Sequence, residues 1–187
     1  REDGSVVTWG VQNAGGDSTS VASELSGEIN VIDIVGNTSS FAALREDGSV
    51  ITWGNRDPDD IFYTVGGGDS SSVASSLSGE IDVIDITKGF YSFAALREDG
   101  SVVTWGNQEW GGDSSNVASQ LSGEINVIDI IRGTNSFAAL REDGSVITWG
   151  DPDTGGDSSS VASELSGEIN VIDVIRGSNS FAALRED

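Results

Sequence analysis

The sequence predicts an all-β repeat protein with short helices, in which four three-stranded antiparallel blades stack as a propeller-like ring or as an open arc or superhelix. The identical block FAALREDGSV occurs at residues 41–50, 93–102 and 137–146. Equivalent arginines recur every 44 residues, apart from one interval of 52. Within each period, short β-branched runs alternate with glycine-rich turns, which is typical of stacked β repeats.

The period divides the chain into four permuted units of one repeat domain that spans residues 1–187. We place the units at about 1–44, 45–96, 97–140 and 141–187. The longest unit contains an insertion of eight residues after Trp53. Because the chain begins in the middle of a unit, we expect it to be a stretch of a longer protein.

Each unit is expected to contain three strands and one short helix. In residues 121–150, the segments GEINVIDII, SFAALRE and SVITWG predict strands, and REDG predicts a tight turn. The polar segment GGDSSNVASQLSG predicts a helix of about two turns, which must dock on the strands to persist. Asp113 or Ser114 would cap this helix and Gly123 would end it, and the docking face would contain Val117, Ala118 and Leu121.

The composition excludes several classes of function. The chain has 9 basic and 31 acidic residues, a formal charge of −22, and no His, Cys or Met. Nucleic acids and anionic membranes attract basic surfaces, so we predict no nucleic-acid partner, and no apolar run is long enough for membrane insertion. Without His and Cys, most familiar catalytic and metal-binding groups are missing, so we predict no enzymatic activity, no metal and no cofactor. Strong acidity without oxidisable side chains favours an extracellular or cell-surface location.

Several side chains recur in one register in every unit. The tryptophans and phenylalanines of this kind are expected to pack the blades, at Trp9, Trp53, Trp105, Trp149, Phe41, Phe93, Phe137 and Phe181. An aspartate ahead of each helix is expected to cap it, with calcium binding as the alternative, at Asp17, Asp69, Asp113 and Asp157.

A second aspartate interrupts the apolar first strand of each unit, at Asp33, Asp85, Asp129 and Asp173. Because this strand should lie deep in the blade, the carboxylate needs a partner. We expect ion pairs with the arginines of LRED, at Arg45, Arg97, Arg141 and Arg185. One alternative is a ring of carboxylates that holds a cation in a central channel. Another is a carboxylate pair for glycoside hydrolysis.

The two ends of the chain each contain part of an incomplete blade. Residues 5–10 are a third strand without its second strand, and residues 181–187 are a second strand without its third. In a closed ring these segments would pair with each other, whereas in an open stack they would pair with another copy and propagate a filament. The candidate assembly residues are Ser5, Val6, Val7, Trp9, Phe181, Ala183 and Leu184.

Five aromatic residues break the repeat and are candidates for ligand or partner binding. They are Phe62, Tyr63, Phe90, Tyr91 and Trp110, and Arg56 and Lys88 accompany them. The turn after the first strand and the loop after the third strand emerge at the same end of a blade, so these residues should decorate one rim of two adjacent units. Aromatic residues beside cations are typical of protein hot spots and of sugar-stacking surfaces. Alternatively, the insertion folds over the aromatic residues and buries them as a local cluster.

The segment GEINVIDIIRGTNSFAALREDGSVITWG resembles the regulator of chromosome condensation repeat. In that repeat a strand leads to a Gly-x-x-(His/Asn)-Ser turn, an Ala-Leu strand, an Asp-Gly turn and a strand that ends in Trp-Gly. The segment is still more similar to the short three-stranded repeats of the bacterial β-lactamase inhibitor protein of that fold. The resemblance covers all four units and implies a β-propeller blade. It leaves function open, because the family contains exchange factors, enzyme inhibitors and surface-protein arrays.

Two functions fit these patterns. The first is a non-enzymatic extracellular structural repeat that assembles head to tail into a surface fibre, sheath or adhesin stalk. The second is a propeller-type binding module that recognises a protein or glycan through the aromatic rim. A third function, a nucleotide exchange factor or nuclear chromatin protein, rests only on the family resemblance, and the charge of −22 disfavours contact with chromatin. Asn37 begins the sequence Asn-Thr-Ser, which is a glycosylation sequon.

Overall fold

The computed structural model describes residues 3–55 and 66–186. Within these residues, eleven strands form three three-stranded sheets and one two-stranded sheet, each an antiparallel meander. The strands are β1 (Val31–Gly36), β2 (Ser40–Arg45), β3 (Val50–Gly54), β4 (Val83–Lys88), β5 (Ser92–Arg97), β6 (Val102–Gly106), β7 (Val127–Arg132), β8 (Ser136–Arg141), β9 (Val146–Gly150), β10 (Val171–Arg176) and β11 (Phe181–Arg185). The predicted all-β repeat architecture is confirmed.

The helices between the sheets are short 3₁₀ helices. They are Gln12–Ala14, Thr19–Val21, Ser71–Leu77, Gln108–Trp110, Ser115–Leu121, Pro152–Thr154 and Ser159–Val161. Leu121 is buried as predicted, whereas Ala118 is exposed rather than docked. Gly123 then turns the chain at a φ of +84°, where an added Cβ would lie 2.5 Å from the Asp99 carbonyl oxygen. In the described part of the chain, none of the helices is both long and apolar enough to cross a membrane.

The aspartates ahead of the helices cap them, as the sequence predicts. Each carboxylate oxygen accepts the backbone N–H of the residue two positions later. The donors Thr19, Ser71, Ser115 and Ser159 lie 2.9, 2.9, 2.8 and 2.8 Å from the oxygens of Asp17, Asp69, Asp113 and Asp157. This bond satisfies one of the amides that a helix start leaves without an intrahelical partner.

The aspartates of the first strands are exposed, so the prediction that they are buried is wrong. A β-bulge is the cause. In β4 the paired register runs from Val83↔Arg97 directly to Asp85↔Leu96, which leaves Ile84 as the extra residue. Both Ile84 and Asp85 therefore face solvent, and Ile86 is buried again. The same register shift occurs in β1, β7 and β10.

The arginines of LRED pair with the turn aspartates instead of with the strand aspartates. Arg97 Nη2 lies 3.7 Å from Asp99 Oδ2, and Arg97 Nε donates to Ser101 Oγ at 2.7 Å. The same contacts join Arg45 to Asp47 and Arg141 to Asp143. Partial desolvation would raise the pKa of Asp99, but hydrogen bonds from the Ser101 side chain and amide, with Arg97 nearby, bring it below its ordinary value.

These turns make the stability of the fold depend on pH. Because the folded pKa of Asp99 is lowered, its ionised form stabilises the fold above the unfolded pKa of about 3.9, and this contribution is lost as the pH falls through the folded pKa. We expect Asp99→Asn to lower the urea midpoint at about pH 6 and to change it little at about pH 2. An equal destabilisation at both pH values would contradict this prediction.

Candidate functional site

The segment of residues 5–9 already occupies the position of a third strand, although no second strand pairs with it in the described structure. The Val6 amide donates to the Leu25 carbonyl at 3.0 Å, as Val146 does to Leu165 at 2.9 Å in the fourth unit. The hydroxyls of Thr8 and Ser18 share a hydrogen bond of 2.9 Å. Equivalent pairs in the other units measure 2.9 to 3.0 Å. The segment is thus preorganised, and its outer edge is open.

At the other end of the chain, β11 has a neighbour on one side only. It pairs with β10, whereas the equivalent strands β2, β5 and β8 each have two neighbours. Leu184 of β11 is 57% exposed, although its counterpart Leu44 in β2 is 5% exposed. Ala182 and Ala183 are also exposed, while their counterparts in the other units are fully buried.

In each complete blade the repeated tryptophan makes the same two contacts. Trp105 stacks on Phe93 with ring centroids 5.2 Å apart, and its Nε1 donates to the Gly67 carbonyl at 3.0 Å. Trp53 and Trp149 make the same two contacts in their own blades. Trp9 is 84% exposed, so the prediction that it packs a blade within the chain is wrong. In a complete blade the tryptophan lies opposite the phenylalanine of the second strand, and among the described residues no second strand pairs with the segment that contains Trp9.

Such a partner surface lies at the opposite end. A cavity of about 480 Å³ adjoins Phe181, Gly155, Val146 and Leu165. Phe181 and Gly155 are equivalent to the phenylalanine and glycine that hold the tryptophan of each complete blade. The lining of this cavity therefore includes the equivalents of the phenylalanine and the glycine that contact the tryptophan in a complete blade.

Three of the predicted rim aromatics form one continuous surface, which we call the aromatic ridge: Phe90, Tyr91 and Trp110. Ring centroids are 5.2 Å apart for Phe90 and Tyr91, and 4.9 Å apart for Tyr91 and Trp110. Phe90 is 47% exposed, and the other two rings are half-buried. The Phe90 carbonyl accepts a hydrogen bond from Thr38 Oγ1 at 3.0 Å, which holds the turn against the preceding blade.

Of the two basic residues predicted beside the ridge, only Lys88 lies within the described residues. Lys88 is half-buried, and its ammonium donates to the Gly36 carbonyl of the preceding blade at 2.7 Å. Lys88 therefore joins two blades, and its charge is not displayed freely on the rim. Phe62, Tyr63 and Arg56 lie outside the described residues.

The structure bears on two further predictions, a cation held by a ring of carboxylates and a glycan on Asn37. In the described ranges, no group of three or more acidic side chains converges on a point that could hold a metal ion, which contradicts the alternative of a cation in a carboxylate ring. In the Asn37 sequon, Oδ1 accepts hydrogen bonds from the amides of Ser39 and Ser40, at 3.1 and 3.0 Å, and from Ser40 Oγ. The Asn37 Nδ2 atom, which would carry a glycan, is buried.

The chain matches known proteins in structure but not in sequence. No family model and no curated protein sequence matches the chain. The CRINKLY WD40 ectodomain of the Arabidopsis thaliana receptor kinase ACR4 matches with a TM-score of 0.54 and 17% identity, over 89% of this chain and 55% of that one. Prp20p from Saccharomyces cerevisiae matches with a TM-score of 0.55 and 17% identity, over 96% of this chain and 50% of that one. Human WBSCR16 matches with a TM-score of 0.51 and 23% identity, over 88% and 46%.

The matches define the chain as a β-propeller blade repeat. The repeat has the regulator of chromosome condensation type of fold, as its sequence predicts. The chain spans about half the length of each of these structures. The more particular similarity to the β-lactamase inhibitor protein stays a prediction.

Proposed function

We propose that the chain is a non-enzymatic, extracellular structural repeat whose copies assemble head to tail into a surface fibre, sheath or adhesin stalk. One observation carries this proposal: the two ends of the stack expose the complementary halves of a contact that the chain makes between its own blades. The first half is the fourth sheet, β10 and β11. The second half is the face of the first sheet together with the preorganised residues 5–9.

The internal contacts show what each half supplies. Between the first and second sheets, Ala42 and Leu44 of the earlier sheet pack with Ile86 and Phe93 of the later one. At the ends of the stack three of these four positions are exposed, and the fourth, Phe41, is half-buried. Their equivalents on the fourth sheet are Ala182 and Leu184, and the equivalent of Ile86 on the first sheet is Ile34, which is 42% exposed against 5% for Ile86. Docking the two ends would bury apolar area that is now in water.

The internal pairing also gives the register of the assembly. In the first sheet the pairs are Phe41↔Trp53, Ala42↔Thr52, Ala43↔Ile51 and Leu44↔Val50. By equivalence, Phe181 of one copy would oppose Trp9 of the next. The further pairs would be Ala182 with Thr8, Ala183 with Val7 and Leu184 with Val6. Each such pairing would complete one blade and leave another open end, so the assembly would propagate.

Disulfide trapping tests this register, because the chain has no cysteine of its own. We expect oxidation of the Ala183→Cys, Val7→Cys double variant to give a series of covalent oligomers on a non-reducing gel. Neighbouring antiparallel pairs alternate between closer and wider spacing, so the Ala182→Cys, Thr8→Cys variant is measured beside it. The control is Ala183→Cys with Val11→Cys, since Val11 is exposed but lies outside the pairing. Equal cross-linking of the control, or a disulfide within single chains, would contradict the proposal.

Two observations support an extracellular location. The sequence is strongly acidic and lacks Cys and Met. The matched structure of ACR4 is a receptor ectodomain, so a fold of this kind serves outside a cell in that protein.

The aromatic ridge favours a second candidate function, a binding module for a protein or glycan. The ridge brings three aromatic rings together on a chain whose formal charge is −22. The equivalent positions in the other units have small or polar residues. Prp20p, which shares the fold, is described as binding Gsp1p and histones. Partly exposed aromatic side chains supply much of the binding energy in such interfaces.

A variant of the ridge tests this second function. We expect Tyr91→Ala to weaken binding of a neutral glucan oligosaccharide at least about tenfold, because Tyr91 is the ring that contacts both of the others. Isothermal titration calorimetry measures the change. Trp9→Ala is the matched control, since Trp9 is an exposed aromatic residue away from the ridge. Equal affinities of Tyr91→Ala and the parent chain would exclude glycan recognition by the ridge.

A further inference from the structure

A second surface of the chain has no role in the assembly or in the ridge. Each first strand exposes an isoleucine followed by an aspartate, and we call these four pairs the Ile–Asp row. The pairs are Ile32–Asp33, Ile84–Asp85, Ile128–Asp129 and Ile172–Asp173. The isoleucines are 62, 55, 56 and 51% exposed, in that order. Four large apolar side chains in repeated, exposed positions are unusual in a surface that is otherwise rich in serine and acidic residues.

The β-bulge creates the row. In a regular strand, successive side chains face opposite sides, so an isoleucine and the next aspartate could not both face solvent. The extra residue in β1, β4, β7 and β10 turns both side chains outward in every unit. Bulges of this kind redirect side chains in the neighbourhood of functional sites.

The first strands of consecutive blades lie beside one another, so the pairs are consecutive along the stack. Thr87 Oγ1 in β4 donates to the Ile130 carbonyl in β7 at 3.2 Å. Lys88 at the end of β4 donates to Gly36 at the end of β1. The third strands pack on the 3₁₀ helices, as β6 does on Ser71–Leu77 and β9 on Ser115–Leu121. The row therefore follows the side of the stack on which the blades meet.

The carboxylates of the row are not held by other groups of the described structure. Within residues 3–55 and 66–186, no hydrogen bond or ion pair holds Asp33, Asp85, Asp129 or Asp173, and all four are exposed. This contrasts with the capping aspartates and the turn aspartates, which are held by backbone and hydroxyl donors. Each unit thus presents one apolar side chain and one unpaired negative charge next to each other.

We propose that the Ile–Asp row docks a basic, amphipathic protein segment that presents lysine or arginine side chains and apolar ones on the same face. The apolar side chains of the partner would cover the isoleucines, and its cations would pair with the aspartates. The formal charge of −22 attracts such a segment and repels an acidic one. Four repeated pairs make the contact multivalent, so weak contacts in single units add along the stack. The row lies within the chain, so this proposal does not depend on the head-to-tail assembly.

Binding of synthetic peptides to the intact chain tests the proposal. The probe is a short fluorescent peptide with the repeat Leu-Leu-Lys-Lys, which places both kinds of side chain on each face of an extended strand, and fluorescence anisotropy reports its binding. The Ile32→Ser, Ile84→Ser, Ile128→Ser, Ile172→Ser variant is expected to bind at least about tenfold more weakly. The variant with all four aspartates of the row changed to asparagine is expected to show a loss of similar size. The row residues are exposed, so circular dichroism should show both variants folded.

A matched control separates this row from general attraction by an acidic protein. Each unit has one exposed glutamate just ahead of its first strand, at Glu28, Glu80, Glu124 and Glu168. Changing all four to glutamine removes the same number of charges and should leave the affinity within about twofold of the parent chain. Equal binding of a lysine–serine peptide, an equal loss in the glutamate control, or unchanged affinity in the isoleucine variant would each overturn the proposal.

Discussion

Trp9→Ala should weaken the self-association of the chain by at least about a hundredfold. Within the chain, each complete blade buries one tryptophan almost fully, stacks it on a phenylalanine and bonds its Nε1 to a glycine carbonyl. Trp9 is 84% exposed and would make these contacts with Phe181 and Gly155 of the preceding copy. Removing a tryptophan from a well-packed site costs about 3–5 kcal/mol, and about 1.4 kcal/mol corresponds to a factor of ten in affinity.

Sedimentation velocity over a range of concentrations measures this effect. The control is Val11→Ala, because Val11 is also exposed near the same end but does not oppose β11 in the expected register. Trp9→Ala should remain monomeric at concentrations where Val11→Ala and the parent chain associate. If Trp9→Ala associates as strongly as Val11→Ala, the contact between copies does not use the blade interface.

Trp105→Ala should have the largest effect on folding and should lower the free energy of unfolding by about 3–5 kcal/mol. Trp105 is 2% exposed, and it lies in the apolar cluster that joins the first and second sheets. Its loss leaves a cavity between two blades and deprives the Gly67 carbonyl of its donor. Because repeat proteins are held together by contacts between neighbouring units, the variant should also unfold less cooperatively.

Urea unfolding of monomeric protein, followed by circular dichroism, tests this second prediction. Trp9→Ala is the matched control, since it removes the equivalent side chain from an exposed position and should change monomer stability by less than about 0.5 kcal/mol. If both variants lose the same stability, Trp9 is packed in the monomer and the end of the stack is not open.

The sequence could predict the strands, the turns and the buried aromatic residues, because each of these features recurs at the same position in several units. Phe93, Phe137, Trp105 and Trp149 are buried in the same register, as expected. Burial of Trp9 could not be predicted correctly from its own unit. Its environment depends on a strand that lies far away in sequence or in another copy.

The bulge in the first strands is the main feature that the sequence did not reveal. The pattern VIDI contains no glycine or other local signal for an extra residue, so the strand was expected to hold Asp85 inside the blade. The pairing of Asp85 with Leu96, rather than with the residue that strict alternation requires, moves the carboxylate outward. The same error hid the true partner of Arg97, which is Asp99 in the adjacent turn.

Candidate binding residues were easier to predict where the repeat is broken. Phe90, Tyr91 and Trp110 stand out because other units have small or polar residues there, and the structure brings their rings into contact. Lys88 was expected to share that surface, but its reach to the Gly36 carbonyl depends on how two blades pack. Contacts between units of this kind are not encoded in the residues of one unit alone.

The mass of the chain in solution, measured by light scattering over a wide range of concentrations, tests the central claim most directly. The head-to-tail account predicts a mean mass that rises from 19.4 kDa in multiples of the chain, with elongated particles in negative-stain images of the same samples. A constant mass of 19.4 kDa at every concentration, with compact particles only, would contradict it.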